Sequence, residues 1–141
     1  EVVDGCGGVG GFALRLARAG ANVTLVENNA SAVRDAQHNV RANGLERVRI
    51  VAAPFATAEF AAEPDVLLVD PPRSGLGPAG VERALAARPR RLLYVACDPE
   101  ALLRDLPPLL ANGYRVTAAA LCDLFPHTEH VELLVRVDRD A

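Results

Sequence analysis

Five of the seven residues from Gly5 to Gly11 are glycine, and the run lies between the apolar segment Val2-Val3 and an amphipathic stretch from Phe12 to Ala19. A strand that turns through glycines into a helix leaves backbone amides open at the helix N-terminus and favours a parallel crossover. The rest of the chain keeps this alternation. Asn22 to Val26, Ser31 to Asn43 and Val48 to Ala52 read as strand, helix and strand. Asp65 to Val69, about Gly80 to Ala87, Arg91 to Ala96 and about Pro99 to Ala111 continue the series. Such a rhythm predicts a parallel sheet with helices on both faces. The last two apolar stretches, Tyr114 to Leu121 and Val131 to Val137, have no helical pattern between them and should pair antiparallel at one edge. The fold expected is α/β and Rossmann-like, with about seven strands, mostly parallel, and an antiparallel last strand.

The helix ends have their own signals. Gly44 and Gly113 close the second and fourth helices, while Asp98-Pro99 opens the fourth as N-cap and first-turn proline. No linker or repeat interrupts the 141 residues, so one domain over 1–141 is expected, and its 50% apolar content suffices for a core. The chain has no Met and begins inside a strand pattern, which reads as a piece of a longer protein. Three cysteines, Cys6, Cys97 and Cys122, lack metal-type spacing and point to a reducing cytoplasm rather than to disulfides. No apolar run would span a bilayer. A net charge of −3, with all fifteen basic residues arginine and none lysine, argues against this chain gripping a phosphate backbone by itself.

The glycine loop admits two registers. Gly5, Gly7 and Gly10, with Glu27 about 20 residues on, fit a dinucleotide fingerprint. Asp4, Gly8 and Gly10 instead fit the D-x-x-x-G-x-G pattern of class I methyltransferases, which bind S-adenosylmethionine. A carboxylate at the strand end suits a cationic cofactor and would repel a pyrophosphate, which favours the second register. Glu27 ends the second strand, where it can accept hydrogen bonds from both ribose hydroxyls of either cofactor.

Two further segments carry chemistry. Asp65 to Val69 runs into Asp70-Pro71-Pro72-Arg73, where the prolines fix the backbone and present Asp70 at the edge where ligands bind. An aromatic residue after Asp-Pro-Pro would stack on a base for exocyclic-nitrogen methylation, and Arg73 stands there instead. Cys97 follows an apolar strand and precedes a helix, so its sulfur lies near the positive end of a helix dipole, with Asp98 as an opposing charge. His127 and His130 lack a third ligand, so no metal site is expected.

Taken together, Tyr94-Val95-Ala96-Cys97-Asp98-Pro99 and Phe125-Pro126-His127-Thr128-Glu129-His130-Val131-Glu132 closely resemble the RNA uridine-5-methyltransferases. The resemblance spans the chain, because the glycine loop, Glu27 and Asp70-Pro71-Pro72-Arg73 occur in the family's order. It departs from the family at Gly11, Pro54, Ala96 and Asp98, where asparagine, a polar residue, serine and asparagine are common. The resemblance implies that Cys97 is the nucleophile and Glu132 the proton acceptor. It further implies S-adenosylmethionine as cofactor, contacted at Asp4, Cys6, Gly8, Gly10, Glu27 and Asp70. The substrate implied is a uridine of tRNA or rRNA, held mainly by RNA-binding domains that this chain lacks, and no protein partner is expected.

The chemistry accounts for both residues. Carbon 5 of uracil is a poor nucleophile until a thiolate adds at carbon 6, and a base must then remove the carbon 5 proton before the cysteine is expelled. The target base would have to leave its stack to reach the pocket. An RNA cytosine-5-methyltransferase is a rival reading, although it would carry a second cysteine where Arg73 stands. A nicotinamide-binding oxidoreductase domain and a noncatalytic RNA-binding module are the others.

Overall fold

The computed structural model describes residues 1–128 and 130–140; Glu129, part of the second motif, and Ala141 lie outside the described residues. The elements are β1 (Val2–Gly5), α1 (Gly11–Arg18), β2 (Val23–Glu27), α2 (Ala30–Ala42), β3 (Val48–Ala52) and a 3-10 turn (Phe55–Thr57). They continue as β4 (Val66–Val69), α3 (Gly77–Ala87), β5 (Arg91–Ala96), α4 (Pro99–Ala111), β6 (Tyr114–Cys122) and β7 (Glu132–Arg139).

One seven-stranded sheet runs in the order β3-β2-β1-β4-β5-β7-β6. The first five strands in the chain pair parallel, and β7 lies antiparallel between β5 and β6. The chain builds β2 and β3 on one side of β1 and then returns to place β4 on the other. That reversal opens a crevice beyond the carboxyl ends of β1 and β4, the usual ligand position in such sheets. β1 is buried at all four positions because both its faces are covered. Val2, Val23 and Leu25 pack with Ala13, Ala17 and Ala36 of α1 and α2. On the opposite face Val3, Val26, Leu67, Val69, Leu92 and Val137 join a larger core under α3 and α4.

Capping accounts for most helix starts. Asn29 accepts from the Ser31 and Ala32 amides to open α2, and Asp98 accepts from Glu100 N at 2.9 Å to open α4. α3 begins at Gly77, three residues before the start that sequence pattern suggests, with Pro78 in its first turn. Its opening amide is held by a side chain from another element, which no local pattern reveals. Among the described residues no helix is long and apolar enough to cross a membrane.

Candidate active site

The crevice at the strand ends holds a cavity of about 440 Å³, whose walls include Cys6, Glu27, Phe55, Asp70, Pro72 and Leu76. Glu27 organises its glycine side. Its Oε2 accepts from Gly8 N at 2.9 Å, and its Oε1 accepts from the amides of Asn28 at 2.8 Å and Asn29 at 2.7 Å. Oε2 therefore keeps lone-pair capacity for a further donor. The cavity lining carries two carboxylates, Glu27 and Asp70, and among its described residues no basic side chain. That electrostatic character suits a cationic or neutral polar ligand and repels a pyrophosphate.

Asp4 is fully buried and does not line this cavity. β1 is enclosed on both faces, and the Asp4 side chain turns toward α1, where its Oδ2 accepts from Ala13 N at 2.9 Å. Burial pushes the Asp4 carboxyl up to about 7, against the Ala13 hydrogen bond, with Asp70 and Glu27 adding to the rise. Its Oδ1 is buried with no hydrogen-bond partner among the described residues. Gly8 and Gly10 are not among the residues lining the cavity, although Gly8 N is hydrogen-bonded to Glu27, which is. Gly10 has φ 95°, and a Cβ there would also press on Leu14 Cδ1, so only glycine makes this turn without strain. Of the expected cofactor contacts, Cys6, Glu27 and Asp70 line the cavity, and Asp4, Gly8 and Gly10 are not among its lining residues. The Cys6 thiol is pushed up to about 11, first by burial and then by Glu27, Asp70 and Asp4, which makes it a poor nucleophile.

Cys97 and Glu132 come together at the junction of parallel and antiparallel sheet. The β5–β7 ladder ends with Ala96 opposite Leu133, so the next step sets Cys97 across from Glu132. Both line a cavity of about 180 Å³ with Arg73, Phe125, His130 and Val131. An adjoining open groove of about 590 Å³ shares Arg73, Cys97 and His130 and extends over Asp98 to Glu100. Asp70 links the two cavities. Its carboxyl is raised by partial burial and by the nearby Glu132, although it lines the larger cavity. The strip from Asp70 to Leu76 serves both cavities, with Arg73 lining the thiol side and Asp70, Pro71, Pro72, Gly75 and Leu76 the other.

One constellation escaped sequence reasoning. Asp105 of α4 is 4% exposed and accepts from Leu76 N at 2.6 Å, Gly77 N at 3.2 Å and the Tyr94 hydroxyl at 2.6 Å. The Tyr94 phenol is raised above its ordinary range by burial and by Asp105. A signal was present, because Asp105 falls on the same buried stripe of α4 as Ala101, Leu102 and Leu109. A carboxylate on an apolar stripe calls for buried donors.

Known proteins share this sequence and fold. The methyltransferase small domain matches residues 1–92, and the tRNA (uracil-5-)-methyltransferase family matches residues 59–140. The chain belongs to the tRNA (uracil-5-)-methyltransferase family. Within it, the chain is 42% identical over 144 residues to the 23S rRNA (uracil(1939)-C(5))-methyltransferase RlmD of Chromohalobacter salexigens, covering all of this chain and 30% of that protein. It is 39% identical to the 23S rRNA (uracil(747)-C(5))-methyltransferase RlmC of Shewanella amazonensis, covering 95% of this chain and 35% of the relative. The crystal structure of Pyrococcus abyssi tRNA (uracil-54, C5)-methyltransferase in complex with S-adenosyl-L-homocysteine superposes with a TM-score of 0.85 at 35% identity. That match covers 97% of this chain and 34% of the other. This uracil-5-methyltransferase family chain therefore spans about a third of the length of the curated relatives it matches.

Proposed function

We propose that this chain holds the methyl-transfer chemistry of an RNA uridine-5-methyltransferase, acting on carbon 5 of a uridine in tRNA or rRNA. The observation that carries the reading is the meeting of Cys97 and Glu132 in one small cavity, beside a larger one that shares the Asp70–Leu76 strip with it. The larger cavity suits S-adenosylmethionine by its donor set. Glu27 has acceptor capacity for ribose hydroxyls, Asp70 can receive a cationic group, and the apolar wall at Phe55 and Leu76 offers a surface for a nucleobase. Bound there, S-adenosylmethionine would supply an electrophilic methyl group.

The remaining work falls to the chain's own residues. The Cys97 thiolate adds to carbon 6 of a flipped uracil and pushes electron density onto carbon 5. Once carbon 5 carries the methyl group, Glu132 takes the proton from that carbon, and the returning electron pair expels the Cys97 sulfur. Asp70, between the cavities, is placed to accept a hydrogen bond from the uracil edge. Arg73 adds a positive charge beside Cys97 that suits an anionic nucleotide backbone or the developing enolate. No second cysteine lines the thiol cavity among its described residues, which weighs against the cytosine-directed reading.

With a net charge of −3, these residues offer little grip on an RNA backbone, so we assign the choice of RNA to regions beyond this span. Three cysteines left free in the structure fit a reducing, cytoplasmic setting. The reading is tested by incubating the full-length protein with unmodified tRNA and rRNA transcripts and methyl-labelled S-adenosylmethionine, then digesting the RNA to nucleosides. Label in 5-methyluridine supports it. Label in 5-methylcytidine alone, or in no nucleoside with either RNA, overturns it.

A further inference from the structure

The Asp70–Leu76 strip has an anchor that the reaction scheme does not use. Asp105 is a buried carboxylate whose three hydrogen-bond donors are two backbone amides and a phenol, and no basic side chain is among them. Two of those donors, Leu76 N and Gly77 N, belong to the point where the strip enters α3. α3 has no side-chain cap of its own, and a carboxylate from α4 satisfies the two amides at its entry, Leu76 N and Gly77 N. A local serine or aspartate would cap the helix equally well. Only a carboxylate from α4 ties the strip to the element that follows Cys97.

The third donor strengthens that connection. Tyr94 lies on β5, three residues before Cys97, and its hydroxyl is 2.6 Å from Asp105 Oδ2 and 3.3 Å from Leu76 N. Asp105 lies on α4, whose cap residue Asp98 directly follows Cys97. Both flanks of the thiol therefore grip the same strip. The fit leaves no slack at Gly75, where φ is 79° and a Cβ would stand 2.6 Å from Asp105 Oδ2 and 3.2 Å from the Tyr94 hydroxyl. Gly75 N also closes a turn on Pro72 O at 2.8 Å, so the bend carrying Pro71, Pro72 and Arg73 is held at its base.

We propose that Asp105, braced by Tyr94, is a positioning residue that sets the distance between the cofactor cavity wall and Cys97. The proposal rests on the methyl-transfer reading above, in which a methyl group must reach carbon 5 directly while Cys97 is bonded to the adjacent carbon 6, so the cofactor and the thiol must be held in register beside the strip. Small displacements of reacting groups are costly in such an arrangement. Loosening the clamp therefore slows transfer without removing any group that touches the base.

The test compares Asp105→Asn, Tyr94→Phe and Leu109→Ala with the parent in the full-length protein. Leu109 is a buried neighbour on α4 outside the clamp and reports the effect of lost stability alone. The Asp105→Asn change would turn an amide donor toward donors, so kcat per folded molecule should fall by about 100-fold while KM for RNA stays within about threefold. Tyr94→Phe keeps the buried ring and should lower kcat by about fivefold, the effect of one lost hydrogen bond. Leu109→Ala should lower the melting temperature and leave kcat per folded molecule unchanged. If Asp105→Asn does not fold, Tyr94→Phe decides. A Tyr94→Phe or folded Asp105→Asn protein that matches Leu109→Ala, with kcat unchanged, overturns the positioning role. A parent protein that transfers no methyl group overturns the underlying reading instead.

Discussion

The two cavities at the strand ends are built in opposite ways. The larger is framed by the ends of parallel strands and stitched by backbone amides, three of them on Glu27 alone. The smaller lies where β7 runs against β5, and its outer wall is the exposed segment with Phe125 and His130, whose rings meet edge-on at 6.4 Å. The first site is part of the scaffold, so changing it should disturb binding and folding together. The second is added to the scaffold's edge, so changing it should disturb chemistry alone.

The largest expected effect belongs to the smaller cavity. Cys97→Ala should abolish methyl transfer while leaving the melting temperature and the affinity for S-adenosylmethionine within error, as read by calorimetry. A large loss of cofactor affinity would break the division. Glu132→Gln should lower the single-turnover rate by about 10²- to 10⁴-fold, the usual weight of a general base. It should also let the cysteine adduct accumulate, because elimination needs the carbon 5 proton removed.

On the scaffold side, Glu27→Gln places an amide donor among amide donors and should weaken S-adenosylmethionine binding about ten- to a hundredfold in a titration. The rate at saturating cofactor should change much less. Gly10→Ala should destabilise the fold by about 1 to 3 kcal/mol in denaturant unfolding, since φ 95° and the Leu14 contact both oppose a side chain.

Asp4 gives the subtlest test. Its carboxyl is raised from 3.8 to about 7 in the folded chain, so the folded state holds the proton more tightly than the unfolded state. Its contribution to stability is full below about pH 4 and is lost as the pH rises through about 7. Asp4→Asn cannot titrate. The stability of the parent relative to Asp4→Asn should therefore fall by up to a few kcal/mol between about pH 4 and pH 8 and level off above. A difference that is flat across this range would place Asp4 in a more solvated setting than its burial indicates.

What the sequence revealed follows the same divide. Strands such as Val48–Ala52 and Arg91–Ala96 are legible to the residue because short, mostly apolar runs bounded by turn residues have few other uses. The placement of β7 between β5 and β6 is not legible, since hairpin-like spacing gives antiparallel pairing without saying which strand lies outermost. Local pattern misplaces the α3 start for a related reason, as its cap comes from Asp105, 28 positions from Gly77. Asp4 stands among the expected cofactor contacts because of the D-x-x-x-G-x-G pattern, which says nothing of its hydrogen bond to Ala13 N of α1. Cys97 and Glu132 are named from a resemblance, and the register of β5 on β7 supplies the physical reason that they can act together.

In the proposed reaction Cys97 forms a covalent bond to a uracil ring and Glu132 then triggers its release, a sequence open to direct test. It is tested most directly with RNA carrying 5-fluorouridine, because a fluorine on carbon 5 cannot be removed as a proton. The full-length protein with S-adenosylmethionine and this RNA should give a complex that survives denaturation, and Cys97→Ala should give none. Absence of the complex with both tRNA and rRNA substrates, or its persistence in Cys97→Ala, would contradict it.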